Sequence, residues 1–355
     1  MLQELLAERK LPPIPHDREE IKRILQEELY GFLPPPPDAL TAENEQVLEA
    51  RLPEATIRRV TLTAHIGDRS FSFPIVTALH DDGKKRPFFI HNNFRPDVPD
   101  MYMPTEEILD NGFDVLSFCY KDVTSDDGNF TDGLADIFVG AGERKPNRCG
   151  KIMLWAWAAM RVMDYAETLP MLDHENGAVV GHSRLGKTAF VTAMLDTRFR
   201  FAFSNNAGCC GDAIVRGKSG ETIADITAPH RFPYWFCENL KKYAGNHEAM
   251  PFDQHFLLAA LAPRYAYVAS SSLDDWADPK SQYLTCVAAS EAFERQGVCG
   301  FVHPDRFPEL PEAFHEGHIG YHIKSGDHFF SRRDWLQYMA FFRKHLSDEN
   351  VSKKS

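Results

Sequence analysis

The 355-residue chain predicts an α/β fold: a mostly parallel sheet with helices on both faces and an antiparallel hairpin near the N-terminus. Three observations carry that expectation. Short apolar runs bounded by turn residues, such as RPFFIHNNF and GFDVLSFCY, have the continuous hydrophobicity of strands buried on both faces. Later in the chain, strand-like runs alternate with segments whose apolar residues recur at helical spacing, the pattern of β-α-β units. Two earlier runs, ATIRRVTLTAHI and RSFSFPIVTAL, instead alternate apolar and polar residues on either side of a GD turn, as a half-buried hairpin does.

In chain order, residues 1–40 read as a peripheral helix, REEIKRILQEELYGFL, and a proline-rich segment. The four prolines of PPPPD form a stiff extended stop. The hairpin and the two buried runs follow. From residue 149, CGKIMLWAWAAMRVMDYAETL is the longest helical pattern. NGAVVGH then reads as a strand and RLGKTAFVTAMLD as a helix. FRFAFSNNAG and APRYAYVASSS are two further strands. DPKSQYLTCVAASEAFERQG and SRRDWLQYMAFFRKHL are the remaining helices. With no internal repeat and no low-complexity linker, a single domain over 1–355 is expected. Residues 208–256 form a loop-rich insertion between two of its strands.

Composition narrows the function. Hydrophobic residues make up 43% of the chain, enough for a sizeable core without staples. The formal charge of −12, from 39 basic and 51 acidic residues, disfavours nucleic acid and anionic membrane surfaces as partners. Seven scattered cysteines without a C-x-x-C pair argue for a reducing compartment. The charged first twenty residues have no apolar signal-peptide core, and no apolar run has the length of a membrane span. The expectation is a cytoplasmic protein. The sequence leaves the oligomeric state open.

The stretch AVVGHSRLGKTAF carries the chemistry. A serine at a strand-to-helix turn is lifted above the sheet. The first helix N–H groups point at the same space, where an oxyanion can develop. The pattern is G-x-S-x-x-G, with Gly181 and Gly186 flanking Ser183; alone, it also describes a tight turn whose serine caps a helix. Two more residues fall where a hydrolase needs them. After the strand RYAYVASSS comes LDDWADP, with Asp274 and Asp275. After IGYHIKSGD comes His328, just before the last helix. The order serine, acid, histidine is that of the α/β-hydrolases.

These segments resemble the glucuronoyl esterases, carbohydrate esterases of the α/β-hydrolase fold, some relatives of which are labelled acetyl xylan esterases. The nucleophile segment there reads G-x-S-R-x-G-K, and here GHSRLGK. RGKSGE, FPYWF, PFDQHFLLAALAPR, DDWADP and IGYHIKSGDH match in the same order. The resemblance runs from about Phe88 to the last helix. It implies Ser183 as nucleophile, His328 as general base, and Arg184 as an oxyanion donor through side chain and N–H. It implies Lys187, Glu221 and Trp276 as residues that hold the uronate sugar. It requires neither metal nor organic cofactor. The chain departs from the family at the acid. Many members carry a glutamate on the loop after the strand that follows the nucleophile; here that loop is SNNAGCCGDA, with Asn206 at the position. An amide cannot balance an imidazolium. The acid is therefore Asp274, with Asp275 as the alternative and Asp212 behind both.

The implied activity is hydrolysis of carbohydrate esters, foremost those of glucuronic acid. An acetyl xylan or xylo-oligosaccharide deacetylase is the rival enzyme. A non-catalytic carbohydrate-binding protein on the same scaffold is the rival of another class, kept open by Asn206. Other polar groups read more plainly. His315, His318 and His322 have metal-like spacing, but two glycines make their segment a loop and no H-E-x-x-H is present. Packing and loop hydrogen bonding are expected for His322. Cys209 and Cys210 read as small buried residues. Lys187 also reads as a solvated surface lysine, Trp276 as a packing wedge and Glu221 as part of a polar turn. The pairs Asp81/Asp82 and Asp126/Asp127 read as solvated loop caps.

Overall fold

The computed structural model describes residues 1–49 and 55–352. One ten-stranded sheet organises them, in the order β1-β2-β3-β5-β4-β6-β7-β8-β10-β9. The strands are β1 (Ala39–Glu49), β2 (Ala55–Ile66), β3 (Arg69–His80), β4 (Arg86–Asn93), β5 (Asp114–Cys119), β6 (Leu172–His182), β7 (Phe199–Asn205), β8 (Tyr265–Ser271), β9 (Ala313–Phe314) and β10 (Ile319–Lys324). From β5 to β10 in that order every pairing is parallel. β1, β2 and β3 extend the sheet antiparallel at one edge, and β9 does so at the other. The β2–β3 hairpin closes at Ile66 and Arg69, on the predicted GD turn.

Alternation along the central strands splits the core into two layers. On β4, Phe88 and Ile90 face one layer and Phe89 the other; on β6, Val179 faces the first, and Ala178 and Val180 the second. The first layer packs under the helices Lys151–Ala166, Arg184–Leu195 and Pro279–Glu294. The second packs under the C-terminal helix Arg332–Ser352, whose Trp335, Tyr338 and Phe342 are fully buried. The helix Lys151–Ala166 is buried almost all round, so its sequence is apolar rather than amphipathic.

Two features differ from the sequence reading. β1 was not expected, because AENEQVLE is polar and charged; it pairs with β2 as an exposed edge strand, held by its ladder rather than by burial. The N-terminal segment is also more embedded than a peripheral helix. Leu2, Leu25, Leu29 and Tyr30 are fully buried, and the indole Nε1 of Trp157 donates to Pro35 O at 2.8 Å within the proline run. Residues 208–256 carry only short helical turns between β7 and β8.

Candidate active site

The strand-to-helix junction is tight. His182 ends β6 and Arg184 begins the helix, leaving Ser183 alone between them at φ 57 and ψ −126. A side-chain residue in that region carries strain of order 1–3 kcal/mol. It is held by Ser183 N donating to Asn205 O at 2.8 Å and by Ser183 O accepting from Gly186 N at 2.9 Å and Lys187 N at 3.1 Å. Gly181 is required by space: a Cβ there would lie 2.1 Å from Leu185 O. The second glycine comes one residue late because Gly186 sits inside the helix, where a Cβ would press on Ser204 Oγ at 2.9 Å.

Of the two candidate carboxylates after β8, Asp274 is the one bonded to His328. Asp274 is 4% exposed, and its Oδ2 lies 2.7 Å from His328 Nδ1. The same oxygen accepts the Asn206 amide at 2.6 Å, and Oδ1 accepts Ala277 N at 3.2 Å. Burial alone would raise this carboxyl. The His328 hydrogen bond and charge, with the two amide donors, outweigh it and hold Asp274 below the usual range. Asp275 points into solvent on the other side of the loop, and Asp212 is occupied by Ser204, Gln282 and the amides of Ala207 and Gly208. Asn206, at φ 49, has exchanged the role of acid for that of a donor to the acid.

His328 is 40% exposed, so its ring opens to the cleft. Its ring centroid is 4.5 Å from that of His182, the residue before the serine. His182 is itself buried, with Nδ1 against Asn205 Oδ1 at 2.7 Å. Burial first, and the neighbouring His328 second, lower its pKa to about 3, so it stays a neutral platform. The loop carrying His328 is fastened at both ends by the fully buried Asp334. Its Oδ2 accepts from Lys324 Nζ at 2.5 Å, Ser331 N at 2.6 Å and Ser331 Oγ at 2.8 Å. Its Oδ1 meets His322 Nε2 at 2.8 Å, and Lys324 Nζ also donates to Phe329 O at 2.5 Å.

Arg184 lies over three rings, with Cζ 4.6 Å from the Trp235 centroid, 5.5 Å from Phe232 and 5.6 Å from Phe94. Its Nη1 pairs with Asp126, while its Nε is buried without a partner among the described residues. Asp126 is thus a correction to the sequence reading. It is a half-buried ion-pair partner and not a solvated cap, because the loop folds inward over the elbow. Asp127 beside it does cap its own loop, accepting Ser125 Oγ at 2.7 Å and Asn129 N at 2.8 Å.

Glu221 and Trp276 converge. The indole Nε1 donates to Glu221 Oε1 at 3.0 Å, and Glu221 N donates to Trp276 O at 3.1 Å. Trp276 is 46% exposed, with the Arg231 guanidinium 5.3 Å from its ring centroid, so it is not a buried packing wedge. Lys187 does not join them by any bond among the described residues. It is 2% exposed, and its Nζ donates to Ala207 O and to Cys209 O, the latter at 2.6 Å. Burial also overturns the reading of Lys187 as a surface lysine. The three histidines have ordinary hydrogen-bond partners: His315 and His322 share Tyr267 Oη, His322 also meets Asp334, and His318 meets Pro263 O. Among the described residues no cluster of metal-ligating side chains forms, and no helix is long and apolar enough to cross a membrane.

A serine raised on an elbow after a central parallel strand, with its imidazole after the last, follows the chain order of the α/β-hydrolases, and the sheet belongs to that class. A family model for glucuronyl esterase of fungi matches residues 84–297, and the chain belongs to the glucuronoyl esterase family. The glucuronoyl esterase of Solibacter usitatus superposes with a TM-score of 0.82 at 31% identity, over 92% of this chain and 91% of that one. Carbohydrate esterase MZ0003, from an unknown prokaryotic organism, is 34% identical over 244 residues, 68% of this chain and 56% of that protein. The 4-O-methyl-glucuronoyl methylesterase of Podospora anserina is 25% identical over 288 residues, 79% of this chain and 56% of that protein. The chain therefore spans little more than half the length of these two curated relatives.

Proposed function

We propose that the protein is a serine esterase that hydrolyses esters of glucuronic acid. The observation that carries the reading is the buried Asp274 carboxylate on Nδ1 of His328, whose ring packs against His182, the residue before the elbow serine. In this reading His328 Nε2 takes the Ser183 proton as the hydroxyl attacks the ester carbonyl. The same nitrogen returns the proton to the leaving alcohol, and water then hydrolyses the acyl-enzyme by the reverse exchange. Asp274 fixes the imidazole tautomer and stabilises its charged form. In this reading the first helix N–H groups and the Arg184 guanidinium stabilise the developing oxyanion.

The substrate class is supported by the names of the relatives and by the Trp276–Glu221 pair, a half-exposed indole hydrogen-bonded to a carboxylate, suited to a sugar ring and its hydroxyls. The Asp274–His328 bond also supplies the carboxylate whose absence at Asn206 favoured a non-catalytic binding protein. The test is steady-state kinetics on methyl glucuronate and 4-nitrophenyl acetate. The expected result is a higher kcat/KM for the uronate, with turnover abolished in Ser183→Ala. A preference for the acetate by orders of magnitude would transfer the assignment to the deacetylase.

A further inference from the structure

We infer that Asp126 is a positioning residue for the oxyanion arginine. The inference rests on the esterase reading above and adds to it a residue outside the triad and its sugar contacts. Arg184 directly follows the nucleophile, and a guanidinium on four rotatable bonds needs a partner to hold one plane. The structure gives it two, and they hold each other. The Asp126 carboxylate takes Nη1, and the Trp235 indole lies beneath Cζ at 4.6 Å. The Trp235 Nε1 donates in turn to Asp126 Oδ1 at 2.8 Å.

Asp126 is fixed from three more directions. Tyr120 Oη donates to Oδ2 at 3.0 Å, and Tyr234 Oη donates to the main-chain oxygen at 2.9 Å. The fully buried ammonium of Lys151 fills the loop behind it, donating to Thr124 Oγ1 at 2.7 Å, Ser125 Oγ at 3.2 Å and Asn129 O at 2.5 Å. The consequence is a fixed guanidinium plane: with Nη1 committed to Asp126 and the Trp235 ring beneath Cζ, its orientation is set before the reaction begins. A positive group held in that way needs no reorganisation when the tetrahedral oxygen acquires its charge.

A double-mutant cycle tests this. Removing an oxyanion donor costs about 10²–10³ in rate, so misplacing one is expected to cost roughly 10–100-fold. Asp126→Asn should lower kcat by that factor with KM nearly unchanged, and Asp126→Glu should recover part of it. In the Arg184→Ala background the Asn substitution should cost no further rate, since its effect passes through the guanidinium. A wild-type kcat for Asp126→Asn overturns the inference. So does a loss that multiplies with that of Arg184→Ala. If Arg184→Ala itself has wild-type kcat, the oxyanion role falls and the inference with it, while Ser183→Ala still reports on the esterase reading. Should Asp126→Asn fail to fold, Trp235→Phe removes one donor to the carboxylate and keeps a ring under Arg184. The same cycle then decides, by a kcat loss that disappears without Arg184.

Discussion

One oxygen of Asp274 serves two partners: His328 Nδ1 at 2.7 Å and the Asn206 amide at 2.6 Å. Replacing the carboxylate by an amide would leave an unsuitable tautomer or an unbalanced imidazolium. Asp274→Asn should lower kcat by about 10³–10⁴ with little change in KM. Asp275→Asn, on the exposed side of the loop, should behave as wild type. Equal losses in both variants would contradict the assignment of the acid.

Asn206 offers a test by pH. Asn206→Asp sets a second carboxylate beside Asp274, and two such groups share a proton more readily than either gives it up. The acid limb of kcat/KM should therefore move to higher pH. Asn206→Ala should move it in the same direction by removing a donor that favours the ionised form. A pH profile superimposable on the wild type would separate Asn206 from the chemistry.

Trp276 and Glu221 are expected to act on binding. Trp276→Ala should raise KM for a uronate ester about tenfold, the equivalent of roughly 1.4 kcal/mol of lost ring contact. Labelling of Ser183 by a small fluorophosphonate should be unaffected. Loss of labelling together with the KM change would assign the indole a role in supporting the acid loop.

Acid stability has a definite sign. His91 and His182 are buried with pKa values lowered to about 3, and His255 to about 4, in each case first by burial. An unfolded histidine titrates near 6.5. Between about pH 6.5 and 4 the unfolded chain therefore binds protons that the folded one refuses. Stability should fall with pH across that window, by up to about 1.4 kcal/mol per pH unit for each imidazole. Urea unfolding midpoints measured from pH 7 to 4 would check it, and a flat profile would show that these rings are charged in the folded state.

Gly181→Ala should destabilise the protein by about 1–3 kcal/mol or more, since its Cβ would fall 2.1 Å from a main-chain oxygen. Thermal melting measures this directly.

The elbow was readable because its signal is local: apolar strand, glycine, serine and helix follow one another within thirteen residues. Asp274 and His328 were readable through chain order, each falling after a recognisable strand. Asp126 was not. It lies in an acidic turn, DDGN, whose composition matches any solvated loop, and its partner 58 positions later is set only by tertiary packing. The burial of Lys187 was hidden for the same reason, since its acceptors are main-chain carbonyls of the loop after β7. β1 escaped because an edge strand facing water has no apolar period to read.

Asp334 closes the loop of His328 like a clasp, fixing the span between β10 and the last helix. An added or deleted residue within 325–327, short of the core residue Phe330, would swing the imidazole off its carboxylate. Attempts to change the range of accepted esters would therefore leave that span alone and begin with the half-exposed indole of Trp276.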